Sequence, residues 1–475
     1  MLFDTVTFWV FFAGAWALWR WLPFRAAKTA IVVASLVFYG WWRPEYLLLI
    51  LLSTVTDYLV GGRLHRCKEP RARRMWLLVS LGVNLGLLAF FKYAPLLVET
   101  LSPLGGFLGV DPADVLLDDW VTPVGISFYT FQTLSYTIDI YRGSLQPCAS
   151  FRDFFLYVSF FPQLIAGPIV RASELLPQLQ RRRRLSPGMV EAGFYYIITG
   201  LCLKMAIADN LGPVVRRAFH PEGLATRAPV EVWFGAIAFG TQIFSDFAGY
   251  SRIAIGIAYL MGLRFPRNFC FPYISQSLSE FWTRWHMTLS RWLRDYLYLP
   301  LGGNRKGRTR TYVNLSLTML LGGLWHGAAW TYLAWGAFHG LGLAIERALG
   351  WSRRAAKPTH LIGGLVSGLR MLAVLLFVHT GWVFFRAENM TIATSVLDRM
   401  WLAPFDEGLG LAEFSSWRYS ILLIPIFLGH LGQVSREWLG LRLTSNRRAA
   451  VVAVSIMMLL VLSRGSGRAF LYFQF

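Results

Sequence analysis

Residues 320–340 read LLGGLWHGAAWTYLAWGAFHG, a stretch without a single Lys, Arg, Asp or Glu. A run of that length and character fits hydrocarbon, since about 20 apolar residues cross a bilayer. Its glycines interrupt the pattern. Gly322, Gly323 and Gly327 bracket Trp325 and His326, and glycine weakens a helix and lets another backbone or a ligand approach closely. The reading is a membrane-depth helix that breaks near His326. An ionisable side chain inside an apolar run is costly and by default marks a functional site. Neutral imidazole is the usual group for taking a proton from a hydroxyl nucleophile. The alternative is a buried structural histidine, which is the preferred reading for His339, thirteen residues on.

The rest of the chain agrees with a membrane setting. Of 475 residues, 55% are hydrophobic and 15% charged, against roughly 25% charged in soluble domains. Aromatic residues reach 16%, with 20 Trp and 36 Phe, which suits many helix ends anchored at a bilayer interface. Forty-six Lys and Arg against 26 Asp and Glu leave a formal charge of +20. In a soluble protein that surplus would point to nucleic acid; here membrane topology explains it, and no nucleic-acid partner is expected. The four cysteines, 67, 148, 202 and 270, have no zinc-knuckle or CxxC spacing, so neither a metal nor a required disulfide is expected.

Further apolar runs cover about 6–19, 29–42, 46–60, 75–91, 151–170, 194–208, 230–247, 311–345, 361–385, 420–434 and 449–463. Several are shorter than the roughly 20 residues a straight span needs. About eleven to thirteen tilted, short or broken membrane segments are expected, the first retained because no basic residue precedes Arg20 as a signal peptide would require. The loop 61–74 holds six Lys or Arg against Glu69, whereas 93–141 holds none and carries Glu99, Asp111, Asp114, Asp118 and Asp119. By the positive-inside rule the first is cytosolic and the second lies outside. The clusters 181–184, 305–310, 347–357 and 436–448 are then cytosolic, and both chain ends lie outside. The stretch 120–141, WVTPVGISFYTFQTLSYTIDIY, mixes polar residues into an apolar background, which membrane depth tolerates only under cover of protein or a wet cavity. Asp57, Lys204 and Asp246 are further charges within apolar runs.

The densest concentration of functional groups is 275–310, SQSLSEFWTRWHMTLSRWLRDYLYLPLGGNRKGRTR. Trp282, Trp285, Leu289, Trp292 and Tyr296 recur at three- and four-residue steps, one apolar face of a helix. Glu280 with Arg284 and Arg291 with Asp295 form i,i+4 pairs on the other face. Such a helix belongs at the membrane interface. His286, one turn from Trp282, is read as either catalytic or a structural hydrogen-bonding residue. No G-x-S-x-G elbow, P-loop or His-x4-Asp pair is present, leaving histidine chemistry inside a membrane.

The sequences FWTRWHMTLSRWLRDYLYLPLGGNRKG and GGLWHGAAWTYLAWGAFHG resemble the membrane-bound O-acyltransferase (MBOAT) superfamily, and within it the bacterial polysaccharide branch typified by alginate O-acetylation. FYGWWRPEYL, GISFYTFQTLSYTIDIYRG, FFPQLIAGPIVR, FSDFAGYSRIAIGIAYLMG and NFCFPYISQSLSEFW extend the likeness over most of residues 35–345. The resemblance implies an all-α polytopic fold of tilted helices around a central tunnel. It implies His326 at the near-invariant histidine position and His286 at the second site position. Trp282, Trp285, Arg284, Arg294, Asp295, Tyr298, Asn304, Trp325 and His339 would line the tunnel or substrate, with Arg305, Lys306, Arg308 and Arg310 meeting the phosphates of acetyl-CoA.

The sequence closes on Arg464, Gly465, Ser466, Gly467, Arg468 and the uncharged AFLYFQF. Phe470-x-Tyr472-x-x-Phe475 resembles an F-x-Y-x-x-F motif of cell-envelope acylation systems, which implies Tyr472 as an acyl relay; a tail that only packs is the alternative. The expectation is one integral domain, 1–475, with 464–475 as hinge and apolar tail. It is placed in the bacterial inner membrane as a multi-pass O-acetyltransferase serving an alginate-like or cellulose-like exopolysaccharide. Its partners would be a periplasmic acetyltransferase and the polysaccharide synthesis complex. Acylation of peptidoglycan or teichoic acid is the alternative on the same scaffold, and a transporter of acetyl or lipid-linked sugar is the alternative of another class.

Overall fold

A computed structural model describes residues 1–108, 121–182, 184–351, 361–402, 417–439, 445–463 and 471. The acidic loop 109–119, residues 352–357 and 440–444 of the two last basic clusters, and the tail apart from Leu471 lie outside the described residues. The described chain is helical and forms two compact units, Met1–Ile197 with Tyr250–Pro266, and Ile198–Gly249 with Arg267–Phe475.

The first unit contains α1 (Val6–Trp21), α2 (Phe24–Gly40), α3 (Leu47–Arg66), α4 (Pro70–Leu108), α5 (Ile126–Tyr141), α6 (Phe151–Ser159) and the short α7 (Ala172–Leu179). The indoles of Trp16 and Trp19 donate to the carbonyls of Leu260 and Met261 at 2.9 and 2.8 Å. Residues 126–137 of α5 are all buried, so protein encloses the polar side chains of that stretch as membrane depth demands. Among them, Thr137 joins a network on Asp57. Ser80 donates to Asp57 Oδ1, Thr137 to the same oxygen at 3.0 Å, and Asn84 Nδ2 to Oδ2 at 2.8 Å. Ser53 and Thr133 in turn donate to Asn84 Oδ1 at 2.6 and 3.2 Å.

Two arginines from the basic clusters do more than set topology. Arg73 donates to the carbonyls of Leu64, Cys67, Ile140 and Tyr141, and Arg182 to those of Trp19, Arg20 and Leu22. They close the C-termini of α3, α5 and α1, whose last carbonyls lack helical partners and carry the negative end of the dipole.

The run 151–170, read as a single apolar segment, is broken instead. Helix α6 ends at Ser159, a single turn follows at Phe161–Leu164, and 165–171 runs without helix. Pro162 opens the turn, and a Cβ at Gly167 would meet Gln163 Cα at 2.6 Å and Pro162 O at 2.8 Å, so the chain doubles back on itself.

The second unit holds most of the remaining elements. Helix α8 (Pro187–Leu201) leads into it through a π-helical turn, Cys202–Ala208, followed by α9 (Asp209–Phe219) and α10 (Pro229–Leu260). Two short helices, α11 (Leu278–Arg284) and α12 (Met287–Leu293), precede the hairpin of α13 (Gly307–His326) and α14 (Trp330–Ala348). Then come α15 (Leu361–Arg386), α16 (Met390–Trp401), α17 (Ile424–Leu439) and α18 (Ser445–Leu462). Its core gathers Phe239, Phe281, Trp285, Trp335, Val378 and Trp382.

Among the described residues four helices are long and apolar enough to cross a membrane: Pro44–Arg66, Pro70–Val98, Pro187–Phe219 and Ile362–Arg386. The 311–345 run splits at His326 into α13 and α14, as its glycines require.

Candidate active site

The site lies within the second unit and begins with the hairpin. His326 is the last residue of α13, and the N–H of Gly327 returns to Gly323 O at 3.3 Å. A Cβ on Gly323 would stand 2.3 Å from Tyr332 O, on Gly336 2.5 Å from Met319 O, and on Gly340 2.9 Å from Ser316 Cα. Glycine is therefore required at three positions for the two helices to pack backbone to backbone. The turn itself is filled by the Tyr332 ring, 2.0 Å from where a Cβ on Gly327 would be. This packing leaves His326 5% exposed, with ring centroids 4.9 Å from Trp325, 5.2 Å from Trp335 and 5.2 Å from Phe385.

The second histidine stands at a break. The apolar periodicity of 282–296 predicts one helix, but α11 ends at Arg284 and α12 starts at Met287, with His286 between them at φ 40° and ψ 53°. This left-handed backbone is uncommon for a residue other than glycine. Asn268, eighteen residues upstream, supports it. Its carbonyl O accepts from Met287 N at 2.8 Å, and its Oδ1 accepts from Thr288 N at 3.3 Å and Thr288 Oγ1 at 2.9 Å. Asn268 thus caps α12 from a distance, satisfying N–H groups that a helix start leaves without partners.

The same Oδ1 lies 3.0 Å from His286 Nδ1. Because Thr288 N–H can only donate, the amide atom facing it is oxygen, and Nδ1–H is the donor in the His286 contact. His286 belongs to none of the four spanning helices, and burial pushes its imidazole down to about 3. A neutral ring protonated on Nδ1 carries its lone pair on Nε2.

The two histidines, forty positions apart in sequence, face each other with centroids 6.4 Å apart, and Trp325 flanks both. Phe247 closes the far side of His286 at 4.7 Å. The array continues through Trp335 to His339, 5.0 Å away, whose ring also meets Trp282 at 5.2 Å and Phe377 at 5.4 Å. His339 is fully buried, and neither ring nitrogen has a hydrogen-bond partner among the described residues. Trp285 packs on Trp382 at 4.9 Å, beneath this array.

The remaining expected lining residues stand elsewhere. Arg284 is bidentate to Glu437, with bonds of 2.9 and 2.7 Å, and pairs with Glu280 at 2.8 Å. That network ties α11 to α17, and it realises the expected 280–284 pair. Asp295 is held by its neighbour Arg294, Nε to Oδ1 2.7 Å. Tyr298 ends a π-helical turn and Asn304 is exposed in the following loop. Exposed with Asn304, at the start of α13, are Arg305, Lys306, Arg308 and Arg310. Tyr472 lies outside the described residues.

Sequence reasoning passed over Asn268, Trp335, Phe247 and Glu346. Buried Glu346 accepts from the backbone N–H of Leu278 and, at 3.1 Å, of Ser279, fixing the start of α11. Asn268 does stand in the quoted NFCFPY stretch, but no spacing rule links position 268 to 286. A carboxylate on the far end of another helix gives no local signal at all.

Comparison with known proteins adds a second line of support. Residues 144–362 match the profile of the MBOAT, membrane-bound O-acyltransferase family. The chain is 38% identical to the "Probable alginate O-acetylase AlgI" of Pseudomonas putida over 95% of both chains. It is 43% identical to the protein of the same name from Pseudomonas aeruginosa over 84% of this chain and 72% of that one. A "Peptidoglycan O-acetyltransferase" of Helicobacter pylori is 35% identical over 78% of this chain and 73% of its own.

Proposed function

The chain belongs to the membrane-bound O-acyltransferase family, and from that premise we propose that it is the membrane O-acetyltransferase of an exopolysaccharide pathway. It takes acetyl from cytosolic acetyl-CoA and delivers it across the bacterial inner membrane to an alginate-like or cellulose-like polymer. The observation that carries this reading is the meeting of His286 and His326, 6.4 Å apart and buried among tryptophans, in a chain whose relatives carry alginate O-acetylase names.

In this reading His326 is the general base that takes the proton from the attacking hydroxyl as it adds to the thioester carbonyl; the C–S bond then breaks, the oxygen ester forms, and CoA leaves as the thiol with the proton that His326 gives back. Such help accelerates transfer by about 10² to 10⁴. His286 orients: with Nδ1–H committed to Asn268, its neutral ring offers an acceptor at Nε2 rather than a donor for the carbonyl. The exposed Arg305, Lys306, Arg308 and Arg310 meet the phosphates of acetyl-CoA, and the charge bias of the loops places them in the cytosol. A separate periplasmic acetyltransferase completes transfer to the sugar within the synthesis complex. Tyr472 carries the acetyl group between the two, on a tail facing the periplasm. A phenol with a pKa near 10 needs a base within hydrogen-bond reach, about 2.6 to 3.2 Å, and His326 is that base. The name of the Helicobacter relative keeps peptidoglycan as the competing acceptor.

Purified His326→Ala is expected to fold and to lose acetyl-CoA turnover by at least about 10²; near-normal turnover removes the assignment. Tyr472→Phe keeps the ring and removes the hydroxyl. Polymer acetylation at the wild-type rate in that variant would eliminate the relay and leave direct handover at His326.

A further inference from the structure

A carbonyl oxygen that takes on negative charge during acyl transfer is best met by a donor already fixed in place, because such a donor needs no reorganisation as the charge develops. The histidines do not supply one. His286 commits its Nδ1–H to Asn268 and offers a lone pair at Nε2, and His326, as the base, presents a lone pair too. His339 lies beyond Trp335, and its Nε2 is directed at the backbone of α15, 2.9 Å from where a Cβ on Gly381 would stand.

Indole N–H is the donor at hand. Trp325, the chain neighbour of His326, and Trp335, which crosses from α14, both lie against its ring. Trp335 is the one clamped from several directions. It stacks on Trp382 at 6.0 Å and 19°, meets Phe385 at 5.3 Å and Trp282 at 5.6 Å, and stands at 87° to His326 with centroids 5.2 Å apart. It is 1% exposed, and its Nε1 has no hydrogen-bond acceptor among the described residues. An indole N–H can only donate, and a buried one usually has a partner. A donor held this firmly beside the base, with its acceptor missing from the protein, is placed for an oxygen that arrives with the substrate.

We propose that the indole N–H of Trp335 is the oxyanion donor of this site, hydrogen-bonded to the carbonyl oxygen of the acyl thioester. The assignment rests on the acetyl-transfer reading and adds a catalytic residue to it. As the attacking oxygen bonds to the acyl carbon and gives its proton to His326, the π electrons of the C=O bond move onto the carbonyl oxygen. Trp335 strengthens its hydrogen bond to that charge and keeps its own proton. When C=O re-forms and C–S breaks, the charge is gone and the bond relaxes. Because every acyl thioester carries the same carbonyl, Trp335 sets the rate of transfer and not the choice of acyl chain.

The test uses the full chain in mild detergent. Trp335→Phe removes the N–H, and Trp335→benzothienylalanine, made by codon suppression, puts sulfur in its place while keeping the bicyclic shape. Both are expected to lower kcat for acetyl-CoA about a hundredfold, the cost of one oxyanion donor, with KM changed far less, because the bond is strongest in the transition state. Trp233→Phe, which removes an indole N–H satisfied by Met400 O at 2.8 Å, is expected to leave kcat per folded molecule unchanged. Wild-type kcat in the benzothienylalanine variant overturns the proposal, whatever Trp335→Phe does, and reduces Trp335 to packing. A hundredfold loss from the same isostere at Trp325, with none at Trp335, also overturns it and moves the donor. A readout independent of turnover is the infrared carbonyl band of bound acetonyl-dethia-CoA, the ketone in which methylene replaces the thioester sulfur. The band is expected at lower frequency on the wild type than on the benzothienylalanine variant, and identical bands refute the donor even where Trp335→Phe fails to fold. Should His326→Ala keep its turnover while the isostere loses it, the base assignment falls and the donor stands. A wild type that neither binds nor turns over acetyl-CoA ends both the acetyl-transfer reading and the assignment built on it.

Discussion

The Asp57 cluster of the first unit and the histidine array of the second both bury polar groups among helices, yet they differ in what those groups touch. Around Asp57 the bonding is closed: Ser80, Thr137 and Asn84 supply the carboxylate, and Ser53 and Thr133 supply Asn84. In the histidine array, Nδ1 and Nε2 of His339 and the indole N–H groups of Trp282 and Trp335 find no hydrogen-bond partner among the described residues. Buried polar atoms without partners are rare in folded proteins and call for an explanation. A closed network explains itself as a staple of three helices, whereas an open one leaves donors and acceptors with capacity for a ligand. A charge within an apolar run, the feature that singles out Asp57 in the sequence, is thus a weaker sign of function than the state of its hydrogen bonds.

The contrast can be broken by mutation. The largest expected effect is that of His326→Ala, a loss of turnover of at least about 10² with little change in melting temperature; a comparable loss of stability would make the site a staple as well. Next is Asp57→Ala, which strands three donors. It is expected to cost about 3 kcal/mol in a denaturant titration in mild detergent, while turnover per folded molecule stays within about twofold. A specific loss of kcat there would place chemistry in the first unit. Asn268→Leu, which removes the acceptor of His286 Nδ1–H and the cap of α12, should reduce turnover about tenfold and stability by roughly 1 to 2 kcal/mol, so it tests whether the open array depends on one closed bond at its edge. Smallest is Thr137→Val, at about 1 kcal/mol of stability and no change in turnover; an effect as large as that of Asp57→Ala would show the network to be cooperative rather than a sum of contacts.

What was legible in the sequence followed the range of the forces involved. Apolar length and charge bias are local, so α1 to α4 and α15 can be placed from composition, and the break at His326 is announced by Gly322, Gly323 and Gly327 beside it. The break at His286 is not local. Trp285, Leu289, Trp292 and Tyr296 are all buried, as their spacing requires, but that spacing is preserved across two short helices with a left-handed residue between them. What forces the break is Asn268, packed against the turn from eighteen positions away. The 151–170 segment fails for a related reason: its apolarity reports burial, which a doubled-back chain satisfies as well as a helix. The meeting of the two histidines was accessible only through resemblance to a family, because no periodicity connects positions 286 and 326.

The hairpin that carries His326 has one more consequence, a matter of clearance. Where glycines let one backbone rest directly on another, as at Gly323, Gly336 and Gly340, there is no layer of side chains to bend, rotate or be trimmed. The two helices cannot slide apart by small steps; they fit or they separate. His326 is therefore mounted on a stationary wall. With the acyl group held at the histidine pair, as proposed, room for a larger one would have to come from α11 and α12, which are a single turn or two long and meet at His286. A search for variants with altered acyl-chain length belongs on those two short helices, and substitutions along the hairpin should yield inactive protein rather than new selectivity.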